Sequence, residues 1–148
     1  MTIVGLDGHS NVKIYIAARF SRRPDANILA RALKDRGFEI VSRWVLPDSD
    51  HVKPTGLSKQ AADAERRRFA EEDIEDIENC DWLIALMEEP RSNGRGGRHV
   101  EFGYAMAMCK VLTVIGPKET VFHHLVNDHY DTASDFLENL DAALKRRE

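Results

Sequence analysis

The sequence predicts an α/β domain: one parallel sheet of about five strands with helices on both faces. Three observations predict it. Short β-branched runs in "NVKIYIAARF", "FEIVSRW", "DWLIALM" and "KVLTVIG" alternate with longer segments of helical character. Helix and strand ends carry glycine or proline, as at Gly37, Gly116 and Pro117. The chain has 148 residues, enough for one full α/β domain and too few for two comfortable ones, with no internal repeat or low-complexity linker. The expected organisation is an N-terminal extension over 1–11 and a single domain over 12–148.

Taken in order, a first strand is expected from about Val12 to Ala17. A helix follows between Pro24 and Gly37, where proline favours the start and glycine the end. "FEIVSRW" reads as the second strand. "VLPDSDHVKPTGLS", with Pro47, Pro54 and Gly56, reads as a surface loop. A charged helix is expected from about Lys59 to Asn79, leading directly into the third strand, "DWLIALM". A glycine-rich loop, a helix from about Arg98 to Cys109 and the fourth strand, "KVLTVIG", come next. The tail holds a turn around Phe122, a short strand near Tyr130 and an amphipathic helix from about Ser134 to Lys145. Strands alternating with helices argue for right-handed crossovers, which place a cleft at the C-terminal ends of the strands.

Bulk properties narrow the function. The net charge of -4 argues against general nucleic-acid binding, although a local basic patch still suits phosphate. No apolar run reaches the roughly 18 residues of a membrane span. "MTIVGLDGHS" lacks the basic and apolar regions of a signal peptide. Cys80 and Cys109 stand alone, without metal or redox spacing, so a reduced, cytoplasmic setting is expected. There is no GxSxG or HExxH pattern, and His123 and His124 are adjacent rather than at ligand spacing. The sequence therefore calls for no metal and no cofactor.

The stretch "RSNGRGGRHVEFGYAMAMCK" falls at the predicted cleft. Glu101 is expected in the first turn of its helix, where free N–H groups and the helix dipole favour the ionised form. Tyr104, Ala105 and Met108 share its face, and a partly dehydrated carboxylate suits nucleophilic attack. The same position equally suits a glutamate that only stabilises its helix. In the loop before it, Gly94 and Gly97 permit close backbone approach to a ligand, while Arg95 and Arg98 offer bidentate donors to an anion. A flexible solvated loop is the plain alternative. Asp73 sits beside the apolar stripe of Phe69 and Ile77, yet its neighbours Glu71, Glu72, Glu75 and Asp76 make a merely solvated charge just as natural. Tyr15, between Ile14 and Ile16, is either core or functional, and its hydroxyl needs a partner if buried. Ala17, Arg19 and Ser21 at the end of the first strand, and Phe122 and His123 after the fourth, complete the candidate edge. His99 is expected to face solvent.

"KIYIAARF", "EEDIEDIENCDWLIAL" and "GGRHVEFGYAMAMCKVLTVIGP" together resemble the nucleoside 2-deoxyribosyltransferase superfamily, which includes the deoxynucleoside 5′-monophosphate N-glycosidases. The resemblance runs from about Lys13 to the C-terminus, and its most specific element is the Glu-Gly pair of "VEFGYAMA". It implies a Rossmann/flavodoxin-like fold. It also implies Glu101 as the nucleophile at C1′ of the sugar, Tyr15 as the residue orienting it, and Asp73 as proton donor to the departing base. Among the monophosphate hydrolases, loop serines hold the 5′-phosphate, and Ser21 and Ser92 fall in comparable places. The transferases carry an acid six residues before the nucleophile, whereas this chain carries Arg95, which favours a nucleotide. "PKETVFHH" lies where the family completes a neighbouring subunit's pocket, implying a homo-oligomer, a dimer or larger, with shared active sites. The implied ligand is a small nucleoside or nucleotide, with neither nucleic acid nor membrane as partner. The rival reading is a non-catalytic module binding a nucleotide or an ADP-ribose-like ligand.

Overall fold

The computed structural model describes residues 11–49, 55–88 and 96–146. Five strands form one parallel sheet in the order β2-β1-β3-β4-β5. They are β1 (Lys13–Ala17), β2 (Glu39–Ile40), β3 (Trp82–Leu86), β4 (Val111–Ile115) and β5 (Asp128–Tyr130). Four helices connect or follow them: α1 (Arg23–Asp35), α2 (Lys59–Asn79), α3 (Gly97–Ala107) and α4 (Ala133–Lys145). This is the α/β arrangement that the alternation of runs predicts, and α2 has both of its predicted ends. No helix among the described residues is long and apolar enough to cross a membrane.

Local chemistry accounts for the helix ends. Ser58 caps α2 by accepting the Ala61 N–H at 3.1 Å, and Thr132 caps α4 by accepting the Asp135 N–H at 3.0 Å. Helix α1 stops where Gly37 adopts φ +92°, with Phe38 N–H and Gly37 N–H returning to the carbonyls of Leu33 and Lys34. Helix α3 closes the same way through Cys109, which holds φ +59° without being glycine.

The second strand departs from expectation. "FEIVSRW" supplies only a two-residue strand, because side chains take over its ladder. Val41 N–H still reaches Ile14 C=O at 2.9 Å. At the next rung, Ser42 Oγ accepts the Ile16 N–H at 3.1 Å and Trp44 Nε1 donates to Ile16 C=O at 2.8 Å. With both polar groups of Ile16 satisfied, the backbone is free to turn, and Arg43–Val45 form a short 3-10 turn. Ser42 is fully buried as a result.

Register assigns the two faces of the sheet. Ile14 pairs with Trp82 and Tyr15 with Leu83, so these pairs point to opposite sides. Trp82 meets Phe136 of α4 and Phe38 edge-on, at centroid distances of 5.8 and 5.9 Å, so its side is covered by α1 and α4. Arg36 at the end of α1 clamps Asp141 of α4 with two bonds at 2.6 and 2.9 Å. Tyr15 faces the other way, toward α2 and α3, where Ile77, Phe102 and Ala105 are buried.

Candidate active site

Tyr15 is fully buried in the middle of β1, and its hydroxyl donates a hydrogen bond to Glu101 Oε2 of α3. The strand tyrosine is thus both core and partner to an acid. Because α3 begins at Gly97, Glu101 is its fifth residue and lies beyond the first turn. The free N–H groups of the helix start are therefore not what acts on it, and the expectation of an ionised group is reversed. Burial pushes its carboxyl up to about 8 from 4.5; the Tyr15 bond opposes this and the nearby Asp73 charge adds to it. The residue as a whole retains partial solvent access.

Asp73 projects from α2 toward the same face. Burial, then the charges of Asp76 and Glu72, raise its carboxyl to about 7, with Arg43 acting in the opposite direction. Tyr15 feels all of these acids: burial first, then Glu101, Asp73 and Asp76, hold its hydroxyl well above the usual phenol range. Three groups from β1, α2 and α3 thus share one electrostatic neighbourhood. Asp76, expected to be one of several solvated charges, is 4% exposed and engaged with Arg43.

Around this centre, the strand ends are tied together by charge. Arg19 Nη1 pairs with Glu88 Oε2 at 2.7 Å, and Arg22 lies 3.8 Å from the same carboxylate. Arg98 Nη2 donates to both oxygens of Glu119 at 2.7 and 2.9 Å, and the Glu88 N–H donates to Glu119 at 3.0 Å. The segments after β1, β3 and β4 are therefore joined through two carboxylates. Glu119 was not among the sequence candidates, since nothing local marks its buried partner.

Several candidates take positions other than an open binding edge. Arg98 is 4% exposed, so its charge is spent on Glu119. His123 is fully buried, accepts the Glu119 N–H at Nδ1 at 2.9 Å, and packs edge-on against Phe102. His99, expected in solvent, is partly buried beside His123. Ala17 is buried at the end of β1, whereas Ser21, Gly97 and Phe122 are exposed. Ser92, Gly94 and Arg95 lie outside the described residues. Gly116 marks a close approach, because an added Cβ would sit 2.4 Å from the Met87 carbonyl oxygen. A half-open cleft of about 470 Å³ occupies the other face of the sheet, between α1 and α4, floored by Leu29, Leu86 and Ile115.

Two carboxyls with raised proton affinity, one of them held by a buried strand tyrosine, mark this cluster as a candidate active site. The family model for nucleoside 2-deoxyribosyltransferase matches residues 14–136. The chain belongs to that family and is an enzyme of that type. Solved structures share the fold. The CMP N-glycosidase BcmB of Clostridium botulinum is 22% identical, with a TM-score of 0.55 over 88% of this chain and 98% of that one. A 2-deoxyribosyltransferase of Bacillus psychrosaccharolyticus is 16% identical, with a TM-score of 0.63 over 85% and 90%. No curated protein matches the chain.

Proposed function

We propose that the protein cleaves the N-glycosidic bond of 2′-deoxynucleosides or their 5′-monophosphates through a covalent glycosyl-Glu101 intermediate. The observation that carries this reading is the Tyr15–Glu101 hydrogen bond beside Asp73. Ionised Glu101 attacks C1′ as the bond from C1′ to the base nitrogen breaks, and Asp73 gives its proton to that nitrogen. A second base or water then attacks C1′ while giving its proton to Asp73, and the bond from C1′ to Glu101 breaks to free the carboxylate, so two inversions retain configuration. Tyr15 fixes the attacking oxygen and spreads its charge.

Attack needs Glu101 ionised and Asp73 protonated. With the two carboxyls at about 8 and about 7, the resting pair shares one proton between those values. Activity should therefore peak between pH 7 and 8, where the pair holds a single proton.

Arg95 and Ser92 in the sequence before α3, and Ser21 after β1, favour a 5′-phosphate over a free 5′-hydroxyl. The exposed apolar residues Val121, Phe122 and Leu125 of the turn after β4 favour coverage of that edge by a second copy of the chain.

Incubation with deoxynucleosides and their monophosphates, with and without a second base, tests the proposal. Chromatography should show base release or base exchange. Binding that raises the melting temperature without turnover would favour the rival module instead. Arg95→Ala should weaken monophosphate turnover far more than nucleoside turnover; equal losses would remove the phosphate preference.

A further inference from the structure

We propose that Arg43 and Asp76 are positioning residues for Asp73: a charge pair that fixes the turn of α2 bearing it and sets how firmly it holds its proton. The proposal rests on reading Asp73 as the proton donor.

The geometry begins at Ile16, the neighbour of Tyr15 on β1. Ser42 and Trp44 hold both of its backbone polar groups, and Arg43 lies between them. Arg43 then reaches across to α2 with several contacts. Its backbone N–H donates to Asp76 Oδ2 at 3.0 Å and its Nε to Asp76 Oδ1 at 2.9 Å. Its Nη2 lies 3.4 Å from Glu72 C=O and 3.6 Å from the Glu75 carboxylate. These contacts bracket Asp73, which is three residues before Asp76 on the same helix. A continuous link therefore runs from the strand of Tyr15 to the helix turn of Asp73. A salt bridge serving only to anchor a surface turn would not need a carboxylate that is 4% exposed.

The same pair brings opposite charges to Asp73. Asp76 and Glu72 on its own helix favour its protonated form, and Arg43 from the turn after β2 favours the ionised form. Tyr15 from β1 and Glu101 from α3 are the titratable groups that face it from the other elements, while Arg68 offsets Glu72 at 2.9 Å. Removing one member of the pair therefore moves Asp73 in the opposite direction from removing the other, a signature that a purely mechanical clamp lacks.

The test is a pH titration of the full-length protein labelled with carbon-13 aspartate, read by NMR, with Asp73→Asn identifying the resonance. Asp76→Asn should lower the Asp73 midpoint by about one pH unit, and Arg43→Met should raise it by a similar amount. The double variant should return close to the parent. The pH profile of kcat/KM should shift with each midpoint. Midpoints that stay fixed, or that move the same way in both single variants, overturn the proposal. If Arg43→Met does not fold, Asp76→Asn decides alone: a fall supports the pair, while no change or a rise refutes it. The titration needs no substrate, so failure of the parent to release any base would count against the proposed reaction and leave the meaning of these midpoints intact.

Discussion

The two faces of the sheet are built from the same strands by the same alternation, yet they hold different chemistry. On the side of α1 and α4, Trp82, Phe136 and Leu140 are buried between sheet and helices, and the polar Trp82 Nε1 finds Thr113 Oγ1 at 2.9 Å. On the side of α2 and α3, Tyr15, Asp73, Asp76 and Glu101 bring a phenol and three carboxyls into partial or full burial. Burying a large apolar side chain stabilises the fold by about 1.5–3 kcal/mol, whereas a carboxyl whose folded-state proton affinity is raised costs stability once it ionises. One face contributes stability, and the other gives up part of it to hold reactive groups.

The largest expected effect comes from Glu101. Glu101→Gln should lower kcat/KM by about 10⁴-fold, since no other group described at the Tyr15 hydroxyl stands ready to attack. The same change should stabilise the protein at alkaline pH. In the parent, Glu101 binds its proton more tightly when folded, so stability falls as pH rises from 4.5 toward 8 and the full cost is present above 8. The variant lacks that slope, and denaturant melts at pH 9 should place it above the parent. Equal stability at pH 5 and pH 9 in the parent would break the contrast between faces.

On the opposite face, Trp82→Ala should cost about 3–5 kcal/mol in a denaturant melt by leaving a cavity against Phe136 and Phe38. Its folded fraction should keep the parent's pH–rate profile, because the reactive carboxyls lie on the other side of β3. Tyr15→Phe should have a smaller effect of a different kind. Losing the hydroxyl raises the Glu101 carboxyl further, so kcat/KM should fall about tenfold near neutral pH and its pH profile should extend to higher pH. A loss independent of pH would show that Tyr15 acts only through packing. The smallest effect concerns neither face. Cys109→Gly should stabilise the protein by about 0.5–1 kcal/mol, because it closes α3 from the left-handed region where glycine is unstrained.

Much of the apolar face was legible in the sequence, because it depends on local pattern. The alternation of strand and helix and the glycine stop of α1 both follow from residues near one another. The other face was only partly legible. Glu101, Tyr15 and Asp73 stand out by residue type and family resemblance, but their protonation depends on burial that three separate elements create together. The short β2 could not be foreseen, since Ser42 and Trp44 replace a backbone ladder by reaching to Ile16. Asp76 and Glu119 look like ordinary surface acids until Arg43 and Arg98, far away in sequence, are brought to them. Their one local hint is spacing: Asp76 precedes the fully buried Ile77, at the point where the charged helix approaches the sheet.

The central claim is that the buried carboxyl of Glu101 becomes covalently bound to the sugar. Rapid mixing of the protein with a deoxynucleoside monophosphate, quenching in acid and peptide mass spectrometry would test it directly. The account predicts a deoxyribosyl-phosphate adduct on the peptide containing Glu101, absent from Glu101→Gln and discharged by water or an added base. Base release at the parent's rate with no adduct on that peptide, or unimpaired turnover by Glu101→Gln, would contradict it.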